Sequence, residues 1–567
     1  MKMKHFLPFT GLWMLPFLIW LTQVCVSQLE KHLPIPPVVA GILTYGLPWI
    51  FPIVVTLTNL GRAKRGQTDF SFSSVYGLGD KEPRHSKAYL DAAYPRIPER
   101  YTSRIPKDLV LGKHRGSYVC CPLSRDGINV FCVGTPGSGK SVLLLGWLYA
   151  QKFRNVLSGK RRTPPGRPYN VFLVDIKGEL FEKLLGIKAC DYTAEAYPDF
   201  QVIAPGIKNA FGYDVFYKIH REDASETDII KAITDIADAL VPPSGDNPYF
   251  SDNAKKILTG VLYYFARQGY DFLPIIQTLM RSNLDELLTA VVEDARQKQM
   301  GVVLDKLQGF CGKSDNESVA DIETTLKTHL DAFSYPELGW ILQDHPNRTS
   351  PAVLNNGRTC LDLAISESML MAYAPFFRLV TMQVLRHCES EFHEDDDRYT
   401  MLVFDEAARI GTITGMDAAM STLRSKHTAL ICLFQSISQF RDIYPGEKAQ
   451  TLLNLCELKL FLSGSGDKDT TDYVSAMAGE YEATKMTYQR KGALGTKSNG
   501  SYSTERRAII EARDLMELRE RGEAIIFLYG RYMRCKKLRY FEDPYIAPLV
   551  AQQQKPEPPS REHRGET

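Results

Sequence analysis

Apolar positions along this chain fall into three regimes. The first is continuous. Phe6–Val26 and Val38–Leu60 contain no charged residue, and each is long enough to cross a hydrocarbon core of roughly 30 Å as a helix. Lys2 and Lys4 precede the first run, Arg62, Lys64 and Arg65 follow the second, and a proline-rich link joins them. The positive-inside rule then predicts a two-span anchor with both termini in the cytoplasm. A cleaved signal peptide is the alternative for the first run, since Cys25 and Ser27 are small. The second apolar run, following closely, argues against it. Residues 1–65 thus read as a membrane anchor, with Pro8, Pro16, Pro48 and Pro52 as kinks. Residues 66–110, polar and without clean periodicity, read as a stem.

The second regime begins near residue 111. Short, almost wholly apolar runs alternate with helix-like segments: Ile128–Val133, Asn170–Asp175, Gln201–Ala204, Thr359–Ala364, Thr400–Phe404, Ala429–Phe434, Leu458–Leu462 and Glu523–Leu528. Strands this apolar predict a parallel sheet covered on both faces, hence an α/β domain. The third regime, 220–335, lacks such runs. Ser225 and Asp228 suggest a capping box, followed at helical spacing by Ile229, Ile233, Ile236, Ala237 and Leu240. Ile257, Leu258, Val261, Leu262 and Phe265 make a second stripe. This block reads as an all-helical insertion that divides the α/β domain into 111–219 and 336–550. Residues 488–507 read as a polar, cationic loop, and 551–567, rich in Gln, Pro and charge, as a disordered tail.

Two stretches carry chemistry. Gly134, Thr135, Pro136, Gly137, Ser138, Gly139, Lys140 and Ser141 follow the pattern G-x-x-x-x-G-K-[ST] between a predicted strand and a predicted helix. There the glycines let backbone N–H groups approach phosphates, and the helix N-terminus favours negative charge. Lys140 is expected to reach the β- and γ-phosphates of ATP, and the Ser141 hydroxyl to ligate Mg²⁺. Met401–Glu406 is an apolar run ending in two acids. Asp405 is expected to hold Mg²⁺ through its water shell, and Glu406 to orient and deprotonate the attacking water.

Composition narrows this only slightly. With 68 basic and 66 acidic residues, bulk charge does not argue for nucleic acid, so any such contact must be local. The eleven cysteines include no C-x-x-C pair, and those inside apolar runs read as small buried hydrophobes of a reduced, cytosolic protein.

Motifs beyond these resemble the type IV secretion coupling proteins, the membrane ATPases of conjugative DNA transfer (TraG/TraD-like). Asp175, Ile176, Lys177, Gly178 and Glu179 resemble the family's D-P-K-G-E segment, with isoleucine at the proline position. Asp405–Gly411 resembles its D-E-F-x-x-L-G run, Ser421–His427 its arginine segment, Phe434–Ser436 its glutamine segment, and Leu515–Leu518 with Gly522–Ile525 its last strand. The resemblance implies a RecA-like P-loop NTPase domain with a parallel sheet, an all-helical insertion domain and two N-terminal transmembrane helices. It further implies a hexameric ring in the bacterial inner membrane, with Arg424 as a finger in the neighbour's site and Gln435 contacting the γ-phosphate or its water. Asp175, Lys177 and Glu179 would line the nucleotide or the subunit contact. The implied cargo is single-stranded DNA carrying a relaxase-type protein, delivered to type IV secretion channel components. Two other readings stand beside it. One is a docking platform for protein effectors with nucleotide as a switch. The other is an FtsK-type translocase for double-stranded DNA, which usually carries more spans and a winged DNA-reading domain.

Overall fold

The computed structural model describes residues 15–31, 33, 35–50, 53–54, 87–122, 127–149, 169–242, 248–312, 317–357, 359–393, 399–413, 415–464, 466–490, 497–548 and 550. Contacts divide the chain into two units, Met1–Ala93 with Glu480–Arg507, and Tyr94–Gly479 with Ala508–Thr567.

Strands form in chain order as β1 (Thr102–Ser103), β2 (Leu109–His114), β3 (Ser117–Cys121), β4 (Asn129–Val133), β5 (Tyr169–Asp175), β6 (Phe200–Ile203), β7 (Gly212–Tyr213) and β8 (Arg348–Thr349). They continue as β9 (Cys360–Ala364), β10 (Tyr399–Phe404), β11 (Thr428–Phe434), β12 (Leu458–Phe461), β13 (Glu480–Arg490), β14 (Lys497–Ala508), β15 (Glu523–Leu528) and β16 (Arg531–Lys536). The larger unit is built on a 12-stranded sheet in the order β1-β3-β2-β16-β15-β12-β4-β11-β10-β5-β9-β6. β12 to β6 run parallel. Along β4, Val130 and Cys132 enter one core while Phe131 and Val133 enter another on the opposite face. Strands buried on both sides have no polar alternation, which explains the continuous apolar runs.

The expected parallel sheet is thus corrected to a mixed one. β15, β16, β2, β3 and β1 extend it antiparallel. Two tight hairpins account for this. Arg115-Gly116 joins β2 to β3 and Tyr529-Gly530 joins β15 to β16, all four residues at positive φ. That is the backbone of a primed hairpin turn. β1 and the first two residues of β2, Leu109 and Val110, lie within the stretch 66–110 expected to be a stem.

The helical block forms Glu226–Leu240, Pro248–Arg267, Phe272–Arg281, Leu284–Gln297, Gly301–Leu307, Glu317–Leu330 and Pro336–Leu342. Ser225 Oγ accepts from Asp228 N–H at 3.2 Å and Asp228 accepts from Ser225 N–H at 3.3 Å, closing the capping box. Both apolar stripes are buried. The block leaves and rejoins the sheet domain through the parallel pair β7–β8. A Cβ at Gly212 there would stand 3.0 Å from His345, so the close approach requires glycine.

In the smaller unit, β13 and β14 pair as a hairpin, replacing the loop expected at 488–507. Polar residues interleaved along the sequence conceal the strands. The helix Lys87–Ala93 sets Tyr89 against Tyr481 of β13, ring centroids 5.6 Å apart. Two apolar helices, Leu15–Leu29 and Pro37–Ile50, are linked by a bond from Thr22 Oγ1 to Thr44 O at 3.1 Å. Two spanning helices are not supported: among the described residues these helices fall short of membrane length, the first having 15 residues. Residues 6–14, 51–52 and 55–60 of the two apolar runs, and the tail 551–567, lie outside the described residues. The one described helix long and apolar enough to cross a membrane is Glu367–Glu391. It is mostly core, with Phe376, Phe377, Leu379 and Val380 fully buried.

Candidate active site

Loops leaving neighbouring parallel strands meet at the carboxyl edge of the sheet. β11 lies between β4 and β10, with Phe434 opposite Val133 and Cys432 opposite Phe404. At the usual strand spacing, the ends of β4 and β10 stand about 10 Å apart. Gly134–Ser141, Gln435 and Asp405–Glu406 therefore leave one edge side by side. Asp175 ends β5, next to β10, and borders the acid pair. Between its strand and β4, which leads into the phosphate loop, stand β11 and β10.

Gly134 N–H donates to Phe434 O at 3.1 Å, and a Cβ at Gly134 would stand 2.3 Å from Ser138 Oγ. Gly137 and Gly139 have φ of 72° and 100°, a region that favours glycine. Pro136 and Gly137 form the exposed tip. The hydroxyl of Ser463, buried just after β12, accepts from Thr135 N–H (3.0 Å) and bonds the Thr135 hydroxyl (2.7 Å). Lys140 is buried, and its ammonium donates to Gly134 O across the loop. Burial lowers its pKa, opposed by Cys132, Glu406 and Asp405. Ser138 Oγ is buried without a partner. The helix Lys140–Tyr149 begins at this loop and is pinned by Trp147, whose Nε1 donates to Val110 O at 2.7 Å. A glycine loop opening a helix, with a buried lysine and an orphaned hydroxyl, is a cradle suited to phosphate.

Asp405 is buried, and its pKa is pushed up to about 6, first by burial and then by Asp175 and Glu406. Lys140 and Lys177 act in the opposite direction. Burial also raises Asp175, against bonds from Leu180 N–H (2.6 Å) and Lys177 N–H (3.3 Å). The Ser141 hydroxyl and the Asp405 carboxylate are the hard oxygen donors Mg²⁺ takes, and the crowded acids supply the charge it would neutralise. Such an ion binds through one or two protein oxygens plus phosphate. Among the described residues no cluster of three or more His, Cys, Asp or Glu could hold a metal alone.

Glu406 adopts the left-handed conformation, φ 54° and ψ 52°. For a residue with a Cβ this costs on the order of 1–3 kcal/mol and marks sites where surrounding structure fixes the backbone. Its carboxylate accepts from Gln435 Nε2 at 3.4 Å and pairs with Arg409 Nε at 3.3 Å. Arg409 also holds Glu367 at 2.8 Å. A carboxylate with one amide neighbour beside the phosphate cradle is placed to orient a water.

Not every expected residue joins this group. Lys177 is exposed but within electrostatic reach of Lys140 and Asp405. Glu179 pairs with Lys183 at 2.6 Å on the solvent side, which holds its carboxyl low. Arg424 precedes β11, at the amino edge, where it pairs with Glu457 at 2.7 Å. Its carbonyl accepts from Gly127 N–H at 2.6 Å. One strand length, about 16 Å, separates it from its own phosphate loop.

Four residues of the site went unread in the sequence. Ser463 opens a Ser-Gly-rich break after an apolar run, a signal that a loop leaves the sheet edge there. Arg409, Arg519 and Lys537 carry no local signal. Arg519 lies against the loop tip, where a Cβ at Gly137 would meet its Nη2 at 3.1 Å. Lys537 Nζ donates to Ser138 O at 2.9 Å.

Comparison with known proteins places this arrangement. The profile of the family described as "Type IV secretory system Conjugative DNA transfer" matches residues 167–562. Protein VirD4 of Rhizobium rhizogenes is 22% identical over 389 residues, covering 67% of this chain and 55% of that protein. Conjugal transfer protein TraG of Agrobacterium fabrum is 23% identical over 365 residues, covering 62% and 54%. The chain therefore spans about half the length of the relatives it matches. Among solved structures, the plasmid coupling protein TrwB in complex with ADP and Mg²⁺ superposes with TM-score 0.56 at 18% identity, covering 81% of this chain and 94% of that one. The same protein with a non-hydrolysable ATP analogue gives TM-score 0.57, also at 18% identity, covering 79% and 93%. At such identity the likeness is one of fold.

Proposed function

The chain belongs to the type IV secretory system conjugative DNA transfer family of coupling proteins, and on that premise we propose that it is an inner-membrane ATPase feeding transfer substrates to a type IV secretion channel. One observation carries the enzymatic part: the phosphate loop, Gln435 and the Asp405–Glu406 pair leave adjacent strand ends at one edge of the sheet. ATP is the substrate and Mg²⁺ the ion. Lys140 and the loop amides bind the phosphates, Ser141 and Asp405 hold the metal, and Glu406 takes the proton from the attacking water. Asp175 and Lys177 border the nucleotide, with Glu179 at the subunit contact.

Arg424 is remote from its own loop and exposed, which suits a cation delivered to a neighbour's site in a hexameric ring. The two N-terminal helices, the first preceded by the uncharged residues 6–14 and the second followed by the uncharged residues 51–60, anchor the ring with both termini cytoplasmic. The substrate is single-stranded DNA with an attached relaxase-type protein, gripped by its backbone in a sequence-independent way.

The full chain in lipid nanodiscs should hydrolyse ATP, and single-stranded DNA should raise the rate. Hydrolysis indifferent to every DNA would move the cargo to protein effectors, and stimulation by double-stranded DNA alone would favour a duplex translocase. Absence of hydrolysis under all conditions sinks the proposal. Arg424→Ala should lower turnover by roughly 10³-fold or more while nucleotide still binds, as for arginine fingers generally. Mixing Arg424→Ala with Lys140→Ala subunits should restore part of the activity, because some interfaces then combine an intact loop with an intact finger. A role confined to the Glu457 pair would give no such rescue.

A further inference from the structure

The phosphate loop is held from behind by parts of the chain far from it in sequence. Ser463 fixes Thr135 after β12. Arg519, from the helix Ala512–Arg521, lies over Gly137. Lys537, just after β16, donates to Ser138 O at 2.9 Å. Topology brings these groups together. β15 runs antiparallel to β12, with Ile525 opposite Phe461, so the segment entering β15 and the one leaving β16 both lie at the carboxyl edge. Two backbone bonds lock that corner: Gly464 N–H to Leu515 O at 2.8 Å, and Lys537 N–H to Gly522 O at 2.8 Å.

The bond from Lys537 has a directional consequence. No described peptide is cis, and in a trans peptide the C=O and the following N–H point to opposite sides. Drawing Ser138 C=O outward toward the ammonium turns Gly139 N–H inward. Gly139, at φ 100°, offers no side chain to resist either orientation and would otherwise leave this peptide plane loosely determined.

We propose that Lys537 is a positioning residue for the nucleotide, a clamp that holds the Ser138–Gly139 peptide with its N–H aimed at the phosphates. It acts through the loop and not by touching the reacting atoms. The inference rests on the nucleotide-binding reading of the same loop. Charge supports it. The ammonium is half-buried, and burial together with Arg519 and Arg539 presses its pKa down to about 8, against Cys132. A cation tolerated in such surroundings is retained at a site that receives a polyanion.

The test uses the full chain in nanodiscs and a fluorescent N-methylanthraniloyl-ADP as probe. Lys537→Met should weaken binding by about tenfold to a hundredfold, the range for a hydrogen bond from a charged donor. The midpoint of thermal unfolding without nucleotide should stay unchanged. Amides of 134–141 should exchange faster in that variant, which a purely structural role elsewhere would not produce. Lys537→Arg, which keeps charge and donor, should bind nearly as wild type. Lys537→Gln keeps a donor without charge, should fall with methionine, and carries the test where methionine disturbs folding. Wild-type binding with Lys537→Met at equal affinity overturns the clamp alone. A folded wild type that binds no probe removes both the clamp and the nucleotide reading.

Discussion

Replacing Glu406 by glutamine is expected to lower kcat for ATP by roughly 10²–10⁴-fold, the usual contribution of a positioned general base, while nucleotide affinity stays within about threefold. The substitution changes one oxygen to an amide nitrogen of similar size, so packing around the residue is preserved. What it removes is the proton acceptor and the charge that meets Arg409 at 3.3 Å. The left-handed backbone at this position should persist, since it is fixed by the turn from β10 into the 3₁₀ segment Ala407–Ile410. Single-turnover measurement separates the outcomes: bound ATP should accumulate unhydrolysed. Turnover at the wild-type rate would exclude Glu406 as the base and leave the acid pair with a purely metal-holding role.

Lys140→Ala should instead remove binding and turnover together, with a loss of roughly 10²–10³-fold in kcat/KM, the scale of one preorganised electrostatic group. The lysine spans the loop to Gly134 O and is buried beside two carboxylates. Deleting it removes a buried cation from beside acids that would then face the phosphates. Isothermal titration with ATP and Mg²⁺, beside steady-state rates, distinguishes this pattern from that of Glu406→Gln. An unchanged Kd would contradict the assignment of Lys140 to the phosphates. In cells, transfer should fail with either variant while membrane association is kept.

Much of this site was legible in the sequence for a physical reason. A glycine loop that must admit phosphate and an acid pair that must end a buried strand are local demands, written in consecutive residues. Gly134–Ser141 and Met401–Glu406 satisfy them without reference to the rest of the chain. The parallel half of the sheet was equally readable, because strands covered on both faces are mostly apolar, with exceptions such as Asp362 and Lys459. Of the antiparallel half only β15 was, as the apolar run Glu523–Leu528. Its hairpins turn on Arg115-Gly116 and Tyr529-Gly530, where a non-glycine residue takes positive φ and announces nothing by its identity. The hairpin of β13 and β14 was missed because its sequence mixes polar and apolar residues without a sustained alternation. Pairing partners of the site share the same obscurity. Arg519 and Lys537 gain their roles from where antiparallel strands return, and that is a property of topology.

The bond between Lys537 and Ser138 joins residues 399 positions apart, and this bears on the protein's birth. Synthesis runs from the N-terminus at about 5–20 residues per second, so roughly 20–80 s separate the emergence of the phosphate loop from that of its last support. For most of that interval β4 also lacks both of its neighbours, β11 and β12. A nascent chain would remain inert until its final strands arrive. Ribosome-stalled chains ending before residue 450 should be blind to ATP, a safeguard against futile turnover by unfinished motors.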